Sequence, residues 1–172
     1  MCSLQRLRQV ACAFGGLELD TLSEFKQNAE ALRVGLLAGY ISPAEVVAWA
    51  DGVIAAGDVP GPELIEVSLG GGLPVDELAR TLNAIRGEVS PIQLARTILC
   101  QMAAAFRRDP TTGRAIARLL YQMYLDDLVP SSEARVQMSR LDDAFNLAES
   151  GASGTIQEVQ TELAEFLSQW AE

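Results

Sequence analysis

The chain contains no histidine. That absence removes Ser-His-Asp and Cys-His catalysis, in which an imidazole takes the proton from the nucleophile. It removes HExxH and mixed Cys/His zinc sites, and the Glu-x-x-His motifs of a di-iron bundle. Histidine-based acid–base mechanisms are lost as well, so only carboxylate chemistry survives. Cysteine is nearly as scarce. Cys2, Cys12 and Cys100 cannot all pair within one chain and show no C-x-x-C spacing, as expected of free thiols in a reducing compartment. No apolar run approaches the ~18 residues of a membrane-spanning helix. The opening MCSLQRLRQVACAFGG is too short, and too interrupted by Arg6, Arg8 and Gln9, to be a lipoprotein signal. A cytoplasmic location without a membrane partner is the expectation.

Other signatures are missing too. Gly70–Gly72 is not followed by the GK[ST] of a phosphate loop. The acid pairs Asp76-Glu77, Asp126-Asp127 and Asp142-Asp143 lack the D-x-[DN]-x-[DN]-G pattern of a calcium loop. Neighbours on a helix point about 100° apart, so no such pair chelates alone. The chain is therefore expected to hold no metal and no cofactor, and not to be an enzyme.

What is present is ordinary folding material: 172 residues, 49% hydrophobic and 21% charged, enough for one domain with a core that needs no disulfides. The net charge of −10 is unevenly spread. Residues 1–33 are neutral, 34–79 carry −7 with no base, 80–140 carry nine arginines and +4, and 141–172 carry −7 with no base. Either the arginine-bearing middle neutralises the flanking tracts within the fold, or an acidic face is kept for a basic partner. Nucleic acid is not expected, because phosphate binding needs a basic surface. Tyr121 and Tyr124 near Arg114 and Arg118 read as core aromatics beside surface arginines.

The periodicity is helical throughout. Leu4, Leu7, Val10, Ala11 and Phe14 form one apolar face. A second helix spans about Leu22–Leu37, with Leu22, Phe25, Ala29, Leu32 and Leu36 inward. ISPAEVVAWADGVIAAG is a third. Ser42 caps it, Pro43 occupies its first turn, Glu45 completes a capping box, Ile41 and Val46 suit a hydrophobic staple, and Gly57 stops it. Glu63–Leu69 reads as a short helix in preference to a strand, because Pro62 suits a first turn, and Gly70–Gly72 as a flexible break. Val75, Leu78, Leu82 and Ile85 mark the next helix, which ends at Gly87. A further helix from Ser90-Pro91 places Ile92, Ala95, Leu99, Met102 and Phe106 on one face. The segment after Asp109-Pro110 is apolar over a wide arc (Ile116, Leu119, Leu120, Met123, Tyr124), so it should be central. Another helix runs from Ser131 or Ser132 to about Ala148.

The predicted fold class is all-α, a single compact bundle of about eight helices. The Ser-Pro starts at Ser42 and Ser90 hint at stacked hairpins. Residues 1–150 form the helical domain and 151–154 a Gly/Ser linker. Residues 155–172 form an amphipathic helix expected to dock on that domain through Ile156, Val159, Leu163, Phe166, Leu167 and Trp170. Thr155 and Glu158 supply its capping box. A homo-oligomer is left open.

The Ser42 helix poses the functional question. At 100° per residue, Val46, Val47, Ala50, Val53 and Ile54 cluster on one side, with Trp49 and Asp51 at opposite edges. The far side is Ala44, Ala48, Gly52 and Ala55, which needs a cover of its own, either from this chain or from a partner. A tryptophan at the rim of an acidic region has the character of an interface anchor. The candidate partner-binding residues are Trp49, Asp51, Asp58, Glu63 and Glu66.

The stretch from GYISPAEVVAWADGVI to PELIEVSLGG resembles small all-helical bacterial immunity proteins encoded beside secreted polymorphic toxins. The resemblance is carried by Gly39, Ile41, Trp49, Ala50, Asp51, Ile54, Glu63, Leu64, Ile65, Glu66, Ser68 and Leu69. It covers residues 39–69 only, and no functional residue carries over. It implies stoichiometric, non-catalytic inhibition of a cognate toxin with a basic surface. The alternative is a helical adaptor or scaffold that docks partners through its C-terminal amphipathic helix.

Overall fold

A computed structural model describes residues 21–57 and 61–170, with side chains from Glu24 onward. Among the described residues the elements are helical and there are no strands. In chain order the helices are α1 (Thr21–Ala38), α2 (Pro43–Ala56), α3 (Pro62–Ser68), α4 (Val75–Ala84), α5 (Pro91–Arg108), α6 (Gly113–Leu125), α7 (Ser132–Glu149) and α8 (Ile156–Ser168). Single 3₁₀ turns, Gly70–Gly72 and Pro110–Thr112, join α3 to α4 and α5 to α6. The fold class is all-α, a bundle of eight described helices. No helix among the described residues is long and apolar enough to cross a membrane. The apolar segment Leu4–Phe14 and Leu22 lie outside what is described.

Local chemistry sets the boundaries. At α2, the Glu45 amide donates to Ser42 Oγ at 3.3 Å and the Ser42 amide donates to Glu45 Oε2 at 2.8 Å. The same reciprocal pair closes α8, with Glu158 N to Thr155 Oγ1 at 3.2 Å and Thr155 N to Glu158 Oε2 at 2.8 Å. Each box satisfies two amides that the first helical turn leaves without partners. Gly57 ends α2 at φ 78°, a left-handed conformation that glycine adopts without a Cβ penalty. Ile41 and Val46, the expected staple pair, are both buried. The Pro62 segment is a helix, as its first-turn proline suggests. Gly70–Gly72 is not an open break: it forms a 3₁₀ turn in which the Leu73 amide returns to the Gly70 carbonyl at 3.0 Å.

The largest fully buried side chains lie in α4–α8: Leu78, Leu82, Ile98, Leu99, Met102, Ile116, Leu120, Met138, Leu141, Phe145, Leu163 and Leu167. Helix α1 lies along α4 and α5, while α8 lies against α5, α6 and α7. Two polar contacts seat the start of α1. Lys26 Nζ donates to the Asn83 carbonyl at 2.9 Å, and the Ser90 amide donates to Gln27 Oε1 at 3.2 Å. Most of the expected stripes are buried, with informative exceptions. Val75, Ile92 and Ile156, each in a first turn, stand 40%, 56% and 38% exposed. Periodicity identifies the inward face of a helix but not how far along it the neighbours reach.

Candidate protein-binding surface

Helix α2 meets the core through few residues. Val46 and Ala50 alone are buried, and Trp49, Val53 and Ile54 are half-buried against the core. Val47, also half-buried, touches the 3₁₀ turn: a Cβ built on Gly71 would lie 3.8 Å from Val47 Cγ2. The opposite side is open. Ala44, Ala48, Gly52 and Ala55 are all exposed, and a Cβ on Gly52 would meet nothing within 4 Å. None of the described residues supplies the second cover that this face was expected to need.

Helix α3 flanks that open side. It buries Leu64 and Val67, three residues apart on one face. Ser68 turns toward α2 and donates its hydroxyl to Asp51 Oδ1. By the 100° step, Ile65 and then Leu69 come next around α3, moving from Ser68 away from the core. Both are exposed, Ile65 by 48% and Leu69 by 80%. Helical spacing thus places a shallow groove between α2 and α3, with the Asp51–Ser68 hydrogen bond at its base. The exposed small residues Ala48 and Ala55 border it on α2, and the exposed apolar residues Ile65 and Leu69 on α3.

The arginines of the middle tract reach both acidic tracts. Arg108 pairs with Glu45 at 2.8 Å, Arg86 with Glu63 at 3.8 Å and Arg80 with Glu77 at 3.6 Å. On the other side Arg114 holds Asp142 and Glu149, and Arg140 pairs with Glu162. Neutralisation within the fold is thus extensive, though each exposed pair contributes only about 0–1 kcal/mol. It is also incomplete. In the 34–79 tract Asp51, Glu66 and Asp76 have no ion pair among the described residues, as is also true of Asp143, Glu158 and Glu165 in the 141–172 tract.

The five sequence-derived candidates do not form one patch. Asp51 sits at the base of the groove, and exposed Glu66 lies on the outer side of α3. Glu63 is turned from the groove and engaged by Arg86. Trp49 lies two residues, hence about 200°, from Asp51; it packs on the core and is separated from the acids it was grouped with. Asp58 falls outside the described residues. The groove also contains residues to which the sequence reading gave no binding role, Ile65, Ser68 and Leu69. Their signal was available in the Leu64/Val67 pair, which already turns Ile65 and Leu69 away from the core.

Among the described residues, no group of three or more His, Cys, Asp or Glu could hold a metal. Arg114 is committed to Asp142, Asn146 and Glu149 and lies 6.0 Å from the centre of the Phe145 ring. Tyr124 is half-buried under Arg135 and stacks on Tyr121, with ring centres 6.0 Å apart. Tyr121, expected in the core, is 37% exposed, a correction to that expectation; its ring leans on Tyr124 instead. No family model, no curated protein and no solved structure matches the chain.

Proposed function

We propose that this chain is a non-catalytic protein-binding protein of the immunity type, which holds a cognate secreted bacterial toxin in a stoichiometric complex through its α2–α3 surface. One observation carries the proposal. The small-residue side of α2 stands exposed beside Ile65, Leu69, Asp51 and Glu66, while neighbouring acids are already paired with arginine. An apolar strip flanked by uncompensated carboxylates favours a partner with a basic surface, and such complementarity speeds encounter more than it deepens affinity. The adaptor alternative is less favoured. The apolar residues of α8 that would dock a partner, Val159, Leu163, Phe166 and Leu167, are buried in this chain's own core.

The test is co-expression with the product of the adjacent gene, followed by calorimetry on the purified pair. A one-to-one complex, weakened roughly tenfold or more by Asp51→Lys and Glu66→Lys together and disfavoured at high salt, is the expected result. Absence of binding at micromolar concentration overturns the immunity assignment.

A further inference from the structure

We infer that the α2–α3 groove is a seat for one amphipathic helix of the partner, its apolar side against Ile65 and Leu69 and its basic residues toward Asp51 and Glu66. This rests on the protein-binding reading above and specifies the element recognised. Three features of the groove select that occupant. First, Ala48, Gly52 and Ala55 present almost no side chain, so a helix axis can approach α2 closely; interaxial distance is set by the side chains at the contact. Second, Leu69 is the most exposed large apolar residue among those described, and with Ile65 it offers anchors one helical turn apart, the spacing at which a bound helix presents its own. Third, no strand edge exists among the described residues for an extended peptide to join.

Charge decides between occupants. A second copy related by a two-fold axis would bring Asp51 and Glu66 against Asp51 and Glu66, and like charges disfavour that pairing. A helix bearing lysine or arginine beside its apolar stripe meets them with the opposite sign. Asp51 already accepts one hydrogen bond, from Ser68, so its carboxylate is oriented and keeps acceptor capacity for a cation.

The probe is a synthetic peptide of about 18 residues, with leucines at i, i+3, i+4 and i+7 spacing and lysines between them. A scrambled peptide of identical composition is the control. Binding to the full chain is measured by fluorescence anisotropy, with oligomeric state followed by sedimentation. The amphipathic peptide should bind at least about tenfold tighter than the scrambled one. Leu69→Ser removes an anchor and Ala48→Gln fills the small wall without altering charge. Each should erase most of that preference while leaving the helical circular dichroism unchanged. Equal affinity for the two peptides overturns the inference, as does a preference undiminished in both variants. A dimer that Leu69→Ser dissociates assigns the groove to a second copy and also overturns it. The toxin experiment is separable. Toxin binding without peptide selectivity removes the groove and leaves the immunity reading. Peptide selectivity without a binding neighbour does the reverse.

Discussion

Helices α2 and α5 both begin with a serine and a proline, yet they are used differently. Helix α5 buries Leu94, Ala95, Ile98, Leu99, Met102, Ala103, Ala105 and Phe106. Helix α2 buries Val46 and Ala50. The first is surrounded by α1, α6 and α8, so its large residues fill space between helices. The second is capped at both ends by local interactions but is braced on one side only. A helix of strong capping chemistry and modest burial is positioned without being enclosed by the described residues, and its small-residue side stays exposed.

The largest test of this contrast exchanges leucines. Leu163 is fully buried in α8, whereas Leu69 is 80% exposed. Leu163→Ala should cost ~2–5 kcal/mol through lost burial and the cavity left behind. Leu69→Ala should stay within about 0.5 kcal/mol. Urea denaturation of both variants checks the pair, and similar losses would show that the α2–α3 region is as enclosed as the rest.

Glycines give the next contrast, and it should reverse sign. A Cβ on Gly113, at the start of α6, would lie 2.9 Å from Phe106 Cε2 and 3.3 Å from Phe145 Cζ. Gly113→Ala therefore forces repacking and should cost about 1–3 kcal/mol. Gly52 is mid-helix with open space around it, so Gly52→Ala should stabilise by about 0.5–1 kcal/mol. Thermal midpoints moving in opposite directions sharpen the comparison. Destabilisation at Gly52 would mean that something covers α2 after all.

The smallest effect concerns α1, which touches both regions. The hydrogen bond from Arg33 holds the Glu30 carboxyl below its ordinary value of 4.5, against the opposing pull of burial, with Arg33 and Lys26 charges assisting. A carboxyl depressed in the folded state contributes stability above its unfolded value and loses it as pH falls through the folded one. Wild type should therefore lose stability on acidification below that range, and Glu30→Gln should flatten that part of the curve. Chemical denaturation across acidic pH measures it, and parallel curves would remove Glu30 from the account.

The sequence made helix starts legible because capping is a four-residue affair: Ser42 with Glu45 and Thr155 with Glu158 needed no tertiary information. It also gave the inward stripe of α8, since Val159, Leu163, Phe166 and Leu167 share one face. Pairing was not legible. Arg108 reaches back sixty-three positions to Glu45, and nothing local distinguishes it from Arg118, which has no ion pair among the described residues. Summed tract charge therefore left open whether the middle arginines neutralise the flanking tracts, and it could not name the acids left over. The candidate surface was half legible for a related reason. Helical spacing exposed the alanine side of α2, but grouping Trp49 with Asp51 followed closeness in sequence, whereas two positions on a helix lead to nearly opposite faces.

Arg114 places a different kind of demand on the chain. Its Nη1 meets Asp142 at 2.5 Å, its Nη2 donates to Asn146 Oδ1 at 2.6 Å, and its Nε meets Glu149 at 3.3 Å. Three acceptors spread along two turns of α7 are met by one rigid fork. A lysine would keep the sign of the charge but offer a single nitrogen, with no plane to lay toward Phe145. At this position the fold specifies a shape rather than a charge, and the choice among the twenty side chains narrows to one.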